Sequence, residues 1–148
     1  MDEVPQWFWT TLDAARPDLG RLRTWLESAS RQEIEDFQIG FENAKEALTD
    51  GYGYNGPNTV EIDGIVFSED DKEDLCAWIV AHGQRYWEAA LAVCDDLSGL
   101  AREYMAAERN QEDPVQKWHE VAGVLAAKVY YERFDANFHT ALQERHSP

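Results

Sequence analysis

Acidic side chains gather just before an apolar helix, and they are the residues of this chain best suited to chemistry. Five of them fall within one short run: Glu69, Asp70, Asp71, Glu73 and Asp74. Glu61 and Asp63 precede the run. Carboxylates can bind Ca²⁺ or Mg²⁺, but the run lacks the spacing and the glycine of an EF-hand loop. The start of a helix explains it more simply, because the macrodipole favours negative charge in a first turn. A docking surface for the basic residues of a partner is the alternative, and no metal is predicted.

The histidines add little further chemistry. His119 and Glu120 begin the sequence H-E-V-A-G, which lacks the second histidine of a zinc-protease helix. His82 lies on the apolar face of a predicted helix, where a packed and hydrogen-bonded histidine is the expected state. The alternative is an acid or base in an aromatic-lined pocket. No nucleophile, base and orienting group occur together, so we predict no catalytic residue and no cofactor.

The glycine-rich segment 51–56 matches the dinucleotide fingerprint G-x-G-x-x-G in its letters. That motif needs a strand before it and a helix after it, so that the helix N-terminus meets the pyrophosphate. Here a predicted helix comes first, and Pro57 and a predicted strand follow. The match therefore indicates no nucleotide site. The loop still carries Tyr52 and Tyr54, which could anchor a partner.

Composition and charge narrow the class of protein. The chain has 148 residues, is 44% hydrophobic and has a formal net charge of −16, which fits a single domain with a sizeable core. Such a charge repels nucleic acid and anionic membrane surfaces and suits a protein with a basic surface. Solubility alone would also explain it. No apolar run is long enough to span a membrane, and the acidic start M-D-E-V-P-Q lacks a signal-peptide pattern, so a cytoplasmic location is expected. The sequence indicates no oligomeric state.

The periodicity of the apolar residues predicts a mainly α fold, a compact bundle of about six to seven helices with one short β-hairpin near residues 59–67. A single domain would comprise N-terminal helices (1–49), a loop and hairpin (50–67), C-terminal helices (68–142) and a frayed tail (143–148). Ser30 and Glu33 form a capping box before the third helix. Its expected buried stripe is Ile34, Phe37, Phe41, Ala44 and Leu48. Asp63-Gly64 favours a type I′ turn, and Pro114 suits the first turn of the last and longest helix.

Cysteines and tryptophans are mostly expected in the core. Cys76 and Cys94 lie among apolar neighbours in predicted helices, which favours buried thiols, with a disulfide as the alternative. Most aromatic residues recur at helical spacing and should be buried. Trp7 and Trp87 each adjoin a residue better placed for the buried stripe, so both are expected to be partly exposed. An exposed tryptophan such as Trp87 can anchor an interface.

Three ordered sequence blocks resemble the bacterial family known as domain of unknown function 4240. Residues 8–16, F-W-T-T-L-D-A-A-R, are similar to its opening F-W-x-L-I-x-x-A-R. Residues 30–41 resemble its S-x-E-E-I block. Residues 68–91 resemble its block S-D-D…W-L-I-x-x-G-R-x-x-Y-x-x-A-L. The resemblance implies a mostly helical fold and carries no established activity. The chain departs from the family at K-E-D-L-C, residues 72–76, where aromatic and basic residues are usual, and before residue 68, where the family has a Trp-rich segment.

Two classes of function remain after these exclusions. The first is a non-enzymatic protein-binding module, such as an immunity protein or antitoxin-like inhibitor, that masks a basic partner surface through charge complementarity. Its predicted contact residues are Tyr52, Tyr54, Glu61, Asp63, Glu69, Asp70, Asp71, Glu73, Asp74 and Trp87. The second is a small-molecule-binding protein or enzyme with a pocket near His82. A regulatory domain with an ordinary cytosolic partner is a further alternative that the sequence does not separate from the first.

Overall fold

Helices make up most of the computed structural model, which describes residues 4–15, 18–51, 60–62, 64–67, 69–93, 98–110 and 114–146. The mainly α class is therefore as predicted. These described parts contain eight helices, rather than the six to seven expected. They are α1 (Gln6–Ala15), α2 (Leu19–Ser28), α3 (Arg31–Gly51), α4 (Glu69–Ala81), α5 (Gln84–Ala92), α6 (Ser98–Asn110), α7 (Pro114–Phe134) and α8 (Phe138–His146). None of the described helices is both long enough and apolar enough to cross a membrane.

Two strands lie between α3 and α4. Strand β1 (Val60–Ile62) pairs antiparallel with β2 (Ile65–Phe67), and Glu61 stands opposite Val66 in the register. Strand β1 runs beside α6, so the strand pair lies against the helical bundle. Asp63, the first residue of the expected turn, lies outside the described residues.

Side chains cap the N-termini of α2 and α3. Asp18 Oδ1 accepts a hydrogen bond from the Gly20 backbone N–H at 2.7 Å and so caps α2. The predicted capping box of α3 is confirmed. The Ser30 backbone N–H donates to Glu33 Oε1 at 2.9 Å, and the Glu33 backbone N–H donates to Ser30 Oγ at 3.1 Å. The hydrogen bond from the Ser30 backbone, followed by that from its side chain, lowers the pKa of the Glu33 carboxyl.

Helix α3 packs its predicted stripe into the core, and all five of its members are buried. Helix α1 crosses this stripe with Phe8 fully buried and its ring centroid 5.1 Å from that of Phe37. Gly40 permits the crossing, because a Cβ added there would lie 2.7 Å from Phe8 Cδ1. The two helices can approach this closely only while position 40 has no side chain.

The second half of α4 is the centre of the bundle. Every residue of 75–81 is buried, and the helix packs against α3, α5, α6 and α7. A helix that is apolar on all sides must be surrounded by protein. The first half of α4 is acidic and faces outward, so one helix joins the core to the surface. It ends before Gly83, whose φ of 101° lies in a region that favours glycine and lets α5 begin directly.

The long C-terminal helix is divided in two, which accounts for part of the difference in helix number. Asp135 adopts a φ of 50° and ends α7. Asn137 Oδ1 then accepts a hydrogen bond from the Thr140 backbone N–H at 3.0 Å, which starts α8. Helix α8 runs to His146 and so extends into the segment 143–148 that was predicted to fray. An ion pair holds it there, because Arg145 Nη1 lies 2.6 Å from Asp36 Oδ1 of α3.

Candidate functional site

A groove of about 590 Å³ opens between α3, α4, α7 and α8, and we call it the α3–α8 groove. Its volume falls within the range of ~300–1,000 Å³ that small-molecule sites occupy. Apolar side chains form its floor: Leu22, Phe37, Ile39, Phe41, Ala77, Ala122, Val124, Ala126, Phe138 and Leu142. Polar side chains form its rim: Gln38, Glu42, Lys45, Glu73, Asp74, His139 and Gln143. An apolar floor inside a polar rim is the general form of a binding site.

The charge on the rim is net negative. Three carboxylates, those of Glu42, Glu73 and Asp74, stand against the single ammonium group of Lys45. Lys45 Nζ lies 3.4 Å from Glu42 Oε2 across one turn of α3, so its charge is already matched within the rim. The side chain of Lys45 is largely buried, whereas that of Glu42 is exposed. A cationic group of a partner would therefore be attracted to this net negative rim.

The acidic run predicted as a contact surface supplies one side of this groove. Asp70, Glu73 and Asp74 are exposed on α4, and Asp71 is half-buried. Glu73 and Asp74 line the rim. The structure thus brings two of the predicted residues together with Glu42 and Lys45, which were not predicted. In the sequence, Glu42 and Lys45 appear only as charged residues beside the buried stripe of α3. Charged residues in that position usually mark the solvated face of a helix, so they did not indicate a site.

The remaining predicted contact residues are placed only in part. Glu61 lies in β1 and Glu69 opens α4, in both cases with the backbone alone described. Tyr52, Tyr54 and Asp63 lie outside the described residues.

Trp87 packs at the junction of three helices. Its indole N–H donates to the Ala44 carbonyl oxygen at 2.9 Å, and its ring centroid lies 5.0 Å from that of Trp9. It is half-buried, and Trp7 is 43% exposed. The hydrogen bond and the ring contact tie α5 to α3 and α1, which is a structural role for Trp87. Neither Trp7 nor Trp87 lines the groove.

A hydrogen-bonded network fastens the wall of the groove that α8 forms. Glu35 is a buried carboxylate of α3, and Tyr130 Oη of α7 donates to its Oε2 at 2.7 Å. Arg31 Nε donates to Tyr130 Oη at 2.5 Å, and Arg145 Nη1 lies 3.6 Å from Glu35 Oε1. Burial is the main cause that raises the pKa of the Tyr130 hydroxyl, with the hydrogen bond to Glu35 next. The hydrogen bond with Tyr130 is the main cause that raises the pKa of the Arg31 guanidinium. These contacts join α3, α7 and α8 behind the groove.

His82 lies apart from the groove lining and is half-buried among aromatic rings. Its ring centroid is 4.3 Å from that of Trp78 and 5.0 Å from that of Tyr86. His82 Nδ1 is 2.7 Å from the Trp78 carbonyl oxygen, so this nitrogen carries a proton and donates it. Tyr86 Oη donates to Glu103 Oε2 at 2.5 Å. These contacts position the histidine between α4 and α5.

Cys76 is a buried free thiol in the centre of α4. Burial raises its pKa to about 12, with a weaker opposing effect from Lys45. Such a thiol is a poor nucleophile at neutral pH. Cys94 lies outside the described residues. Within the part of the chain that the structure describes, no three His, Cys, Asp or Glu side chains gather closely enough to hold a metal ion.

Comparison with known proteins gives one match. No curated protein and no solved structure matches the chain significantly. One family model, described as "Protein of unknown function (DUF4240)", matches residues 5–133. The match runs from the start of α1 almost to the end of α7, and α8 lies beyond it. It spans most of the chain and agrees with the three sequence blocks, and the protein belongs to this family of unknown function.

Proposed function

We propose that this protein is an acidic, non-enzymatic binding module that masks the basic surface of a partner protein in the cytoplasm, as an immunity protein or antitoxin-like inhibitor does. One observation carries the proposal: the exposed carboxylates at the start of α4 stand on the rim of an apolar groove. Charge alone would attract many basic molecules. An adjoining apolar floor adds the desolvated contact area that a stable complex needs.

Charge and floor would act at different stages of binding. A net charge of −16 creates a field that speeds the encounter with a basic surface and weakens as salt rises. The apolar floor would act after the encounter by slowing dissociation. A partner whose basic residues are needed for its own activity would be masked while bound. This division supports an inhibitor more than a catalyst, since it requires no reacting group.

The surroundings of His82 favour this proposal over the enzyme alternative. A general acid or base needs access to substrate and a free proton path. Here the Nδ1 proton is directed at the Trp78 carbonyl oxygen, and the imidazole ring lies between two aromatic rings. The groove, which would be the natural place for a substrate, is lined without His82.

Affinity capture followed by kinetics tests the proposed function. The tagged protein would be used to capture partners from a lysate of the organism that encodes it, and the captured protein would be purified. Association would then be measured with a variant carrying Asp70→Asn, Asp71→Asn, Glu73→Gln and Asp74→Asn. A control variant of equal net charge carries changes at exposed sites elsewhere: Glu88→Gln, Glu132→Gln, Asp135→Asn and Glu144→Gln.

We expect the α4 variant to associate about tenfold more slowly at low salt, and the control to change much less. The difference in association rate between the two variants should narrow as the salt concentration rises, because screening weakens the electrostatic attraction that speeds the encounter. Equal association rates for the two variants at low salt would show that the α4 carboxylates do not guide the partner. Turnover of a captured small molecule, rather than binding of a protein, would favour the enzyme alternative.

A further inference from the structure

We infer that the α3–α8 groove receives a short amphipathic helix of the partner, with an apolar row on one side and lysine or arginine beside it. This inference rests on the proposed function and names the part of the partner that is held. The occupant follows from two properties of the groove, its apolar floor and its net negative rim.

The floor is shaped for close approach of a helix. Small side chains line the groove from α4 and α7, at Ala77, Ala122 and Ala126, and Phe37 and Phe138 line it from α3 and α8. Small residues leave space for a backbone, and the half-buried Ile39 and Leu142, with exposed Val124, give apolar side chains of an occupant a surface to contact. Helix-in-groove binding uses such a surface, with apolar anchors spaced three and four residues apart.

Exposed apolar side chains in the groove also favour an occupant with an apolar side. Within the floor, Val124 of α7 is 69% exposed and Ile39 of α3 is half-buried. Gly123 next to Val124 is exposed, and a Cβ added there would meet nothing within 4 Å. The floor thus continues outward as an apolar surface that a bound helix would cover.

The rim selects a basic occupant. Glu73 and Asp74 stand on α4 at one edge, and Asp70 lies one turn earlier on the same helix. A peptide with acidic residues beside its apolar row would be repelled by this net negative rim, whereas a peptide with lysine or arginine there would be attracted to it. Nucleic acid and anionic lipid are disfavoured by the same charge. Complementarity therefore requires both features in one segment of the partner.

Helix α8 extends the groove beyond the residues that the family model matches. It forms a wall of the groove through Phe138, His139 and Leu142, and it lies beyond the residues matched by the family model. Arg145 anchors this wall to Asp36.

Binding of designed peptides tests the inference without the natural partner. The probe is a fluorescein-labelled peptide of lysine and leucine, about four helical turns long, with its leucines on one helical face. The comparison peptide has the same composition with its leucines scattered around the helix. We expect the ordered peptide to bind the full chain at least about tenfold more tightly than the scattered one. Equal affinities, or no binding of the ordered peptide at about 1 mM, would overturn the inference.

Protein variants locate the bound peptide. Gly123→Leu fills the edge of the floor without altering charge, and Gly99→Leu is its control on α6, where an added Cβ also meets nothing within 4 Å. Glu73→Gln with Asp74→Asn is compared with Glu88→Gln and Glu144→Gln. We expect Gly123→Leu to weaken binding about tenfold at any salt, and the rim pair to weaken it mainly at low salt. Circular dichroism and thermal melts check that each variant folds.

Amide chemical shifts provide a second measurement on the unaltered protein. Shifts on adding the ordered peptide should concentrate at residues 37–45, 73–77, 122–126 and 138–143. If the shifts were confined to α4 and the Gly123→Leu variant bound the peptide normally, the groove inference would be overturned. The proposal that the acidic surface of α4 binds a partner would then still stand. Groove shifts together with an unchanged rate of partner association in the α4 variant would refute the proposed function instead.

Discussion

Replacing Gly40 with alanine tests the packing of α1 against α3 directly. The new methyl group would lie 2.7 Å from Phe8 Cδ1 and 3.1 Å from Cγ, both closer than ordinary contact. Phe8 is fully buried, and its ring is held by Trp9 at 5.0 Å, by Phe37 at 5.1 Å and by Phe41 at 6.4 Å between centroids. The ring has nowhere to move at low cost, so the two helices must separate.

Two opposing effects set the size of the change. Alanine in the middle of a helix is favoured over glycine by about 1 kcal/mol. Overpacking a rigid core costs about 1–3 kcal/mol, and the close contact with a ring fixed on several sides puts Gly40→Ala near the upper end. The net expectation is a destabilisation of about 1–2 kcal/mol. For a chain of this length, that lowers the melting temperature by about 2–8 °C.

Gly123→Ala is the matched control, because Gly123 also lies within a long helix and its added Cβ would meet nothing within 4 Å. Only the propensity effect acts there, so we expect a stabilisation of up to about 1 kcal/mol. Urea unfolding followed by circular dichroism would measure both. If Gly40→Ala were as stable as Gly123→Ala, the close approach of α1 and α3 at Phe8 would be refuted.

Three further predictions concern single contacts. Tyr130→Phe removes the hydroxyl group that donates a hydrogen bond to buried Glu35. Urea unfolding should show a free energy of unfolding about 1.5–3 kcal/mol lower, and a change within error of zero would contradict the contact. Arg133→Leu removes the donor to two carbonyl oxygens at the end of α2 and should lower the free energy of unfolding by about 1–3 kcal/mol. Arg133→Lys should lower it less, because lysine keeps a charged donor. Cys76 can be tested alone in a Cys94→Ser variant. Because its pKa is raised from 9.0 to about 12, the fraction of Cys76 present as thiolate at pH 8 should be about a thousandfold lower than for an exposed cysteine. Iodoacetamide should therefore label Cys76 rapidly only when the protein is unfolded in denaturant.

Local sequence signals predicted the helices that carry them. The capping box at Ser30 and Glu33 and the stripe of α3 depend on neighbours within a few turns, and both are confirmed. The break between α7 and α8 was not predicted. Asp135 takes a left-handed conformation there, and neither glycine nor proline marks the position. A helix stop of that kind depends on what the following residues contact.

The all-round burial of α4 was predicted only in part. The sequence predicted a helix with one apolar face, on which His82 lies, whereas every residue of 75–81 is buried. The sequence held a usable signal, because an unbroken apolar run within a helix has no face for water. The groove left no such signal. Its rim joins Lys45 and Glu73 from helices that are adjacent only after folding, and its far wall comes from α8.

The two halves of α4 explain why charge and apolar surface meet at this place. A helix at the centre of a bundle must leave the core at one end, and α4 does so at its acidic N-terminal turns. Residues just outside the core, such as Glu73 and Asp74, are then held beside apolar side chains such as Ala77. Because the buried half fixes the helix, the carboxylates keep their position relative to the floor. On the proposed function, a basic segment drawn to them would arrive with its apolar side chains over the groove, so binding would depend on both features of the partner at once.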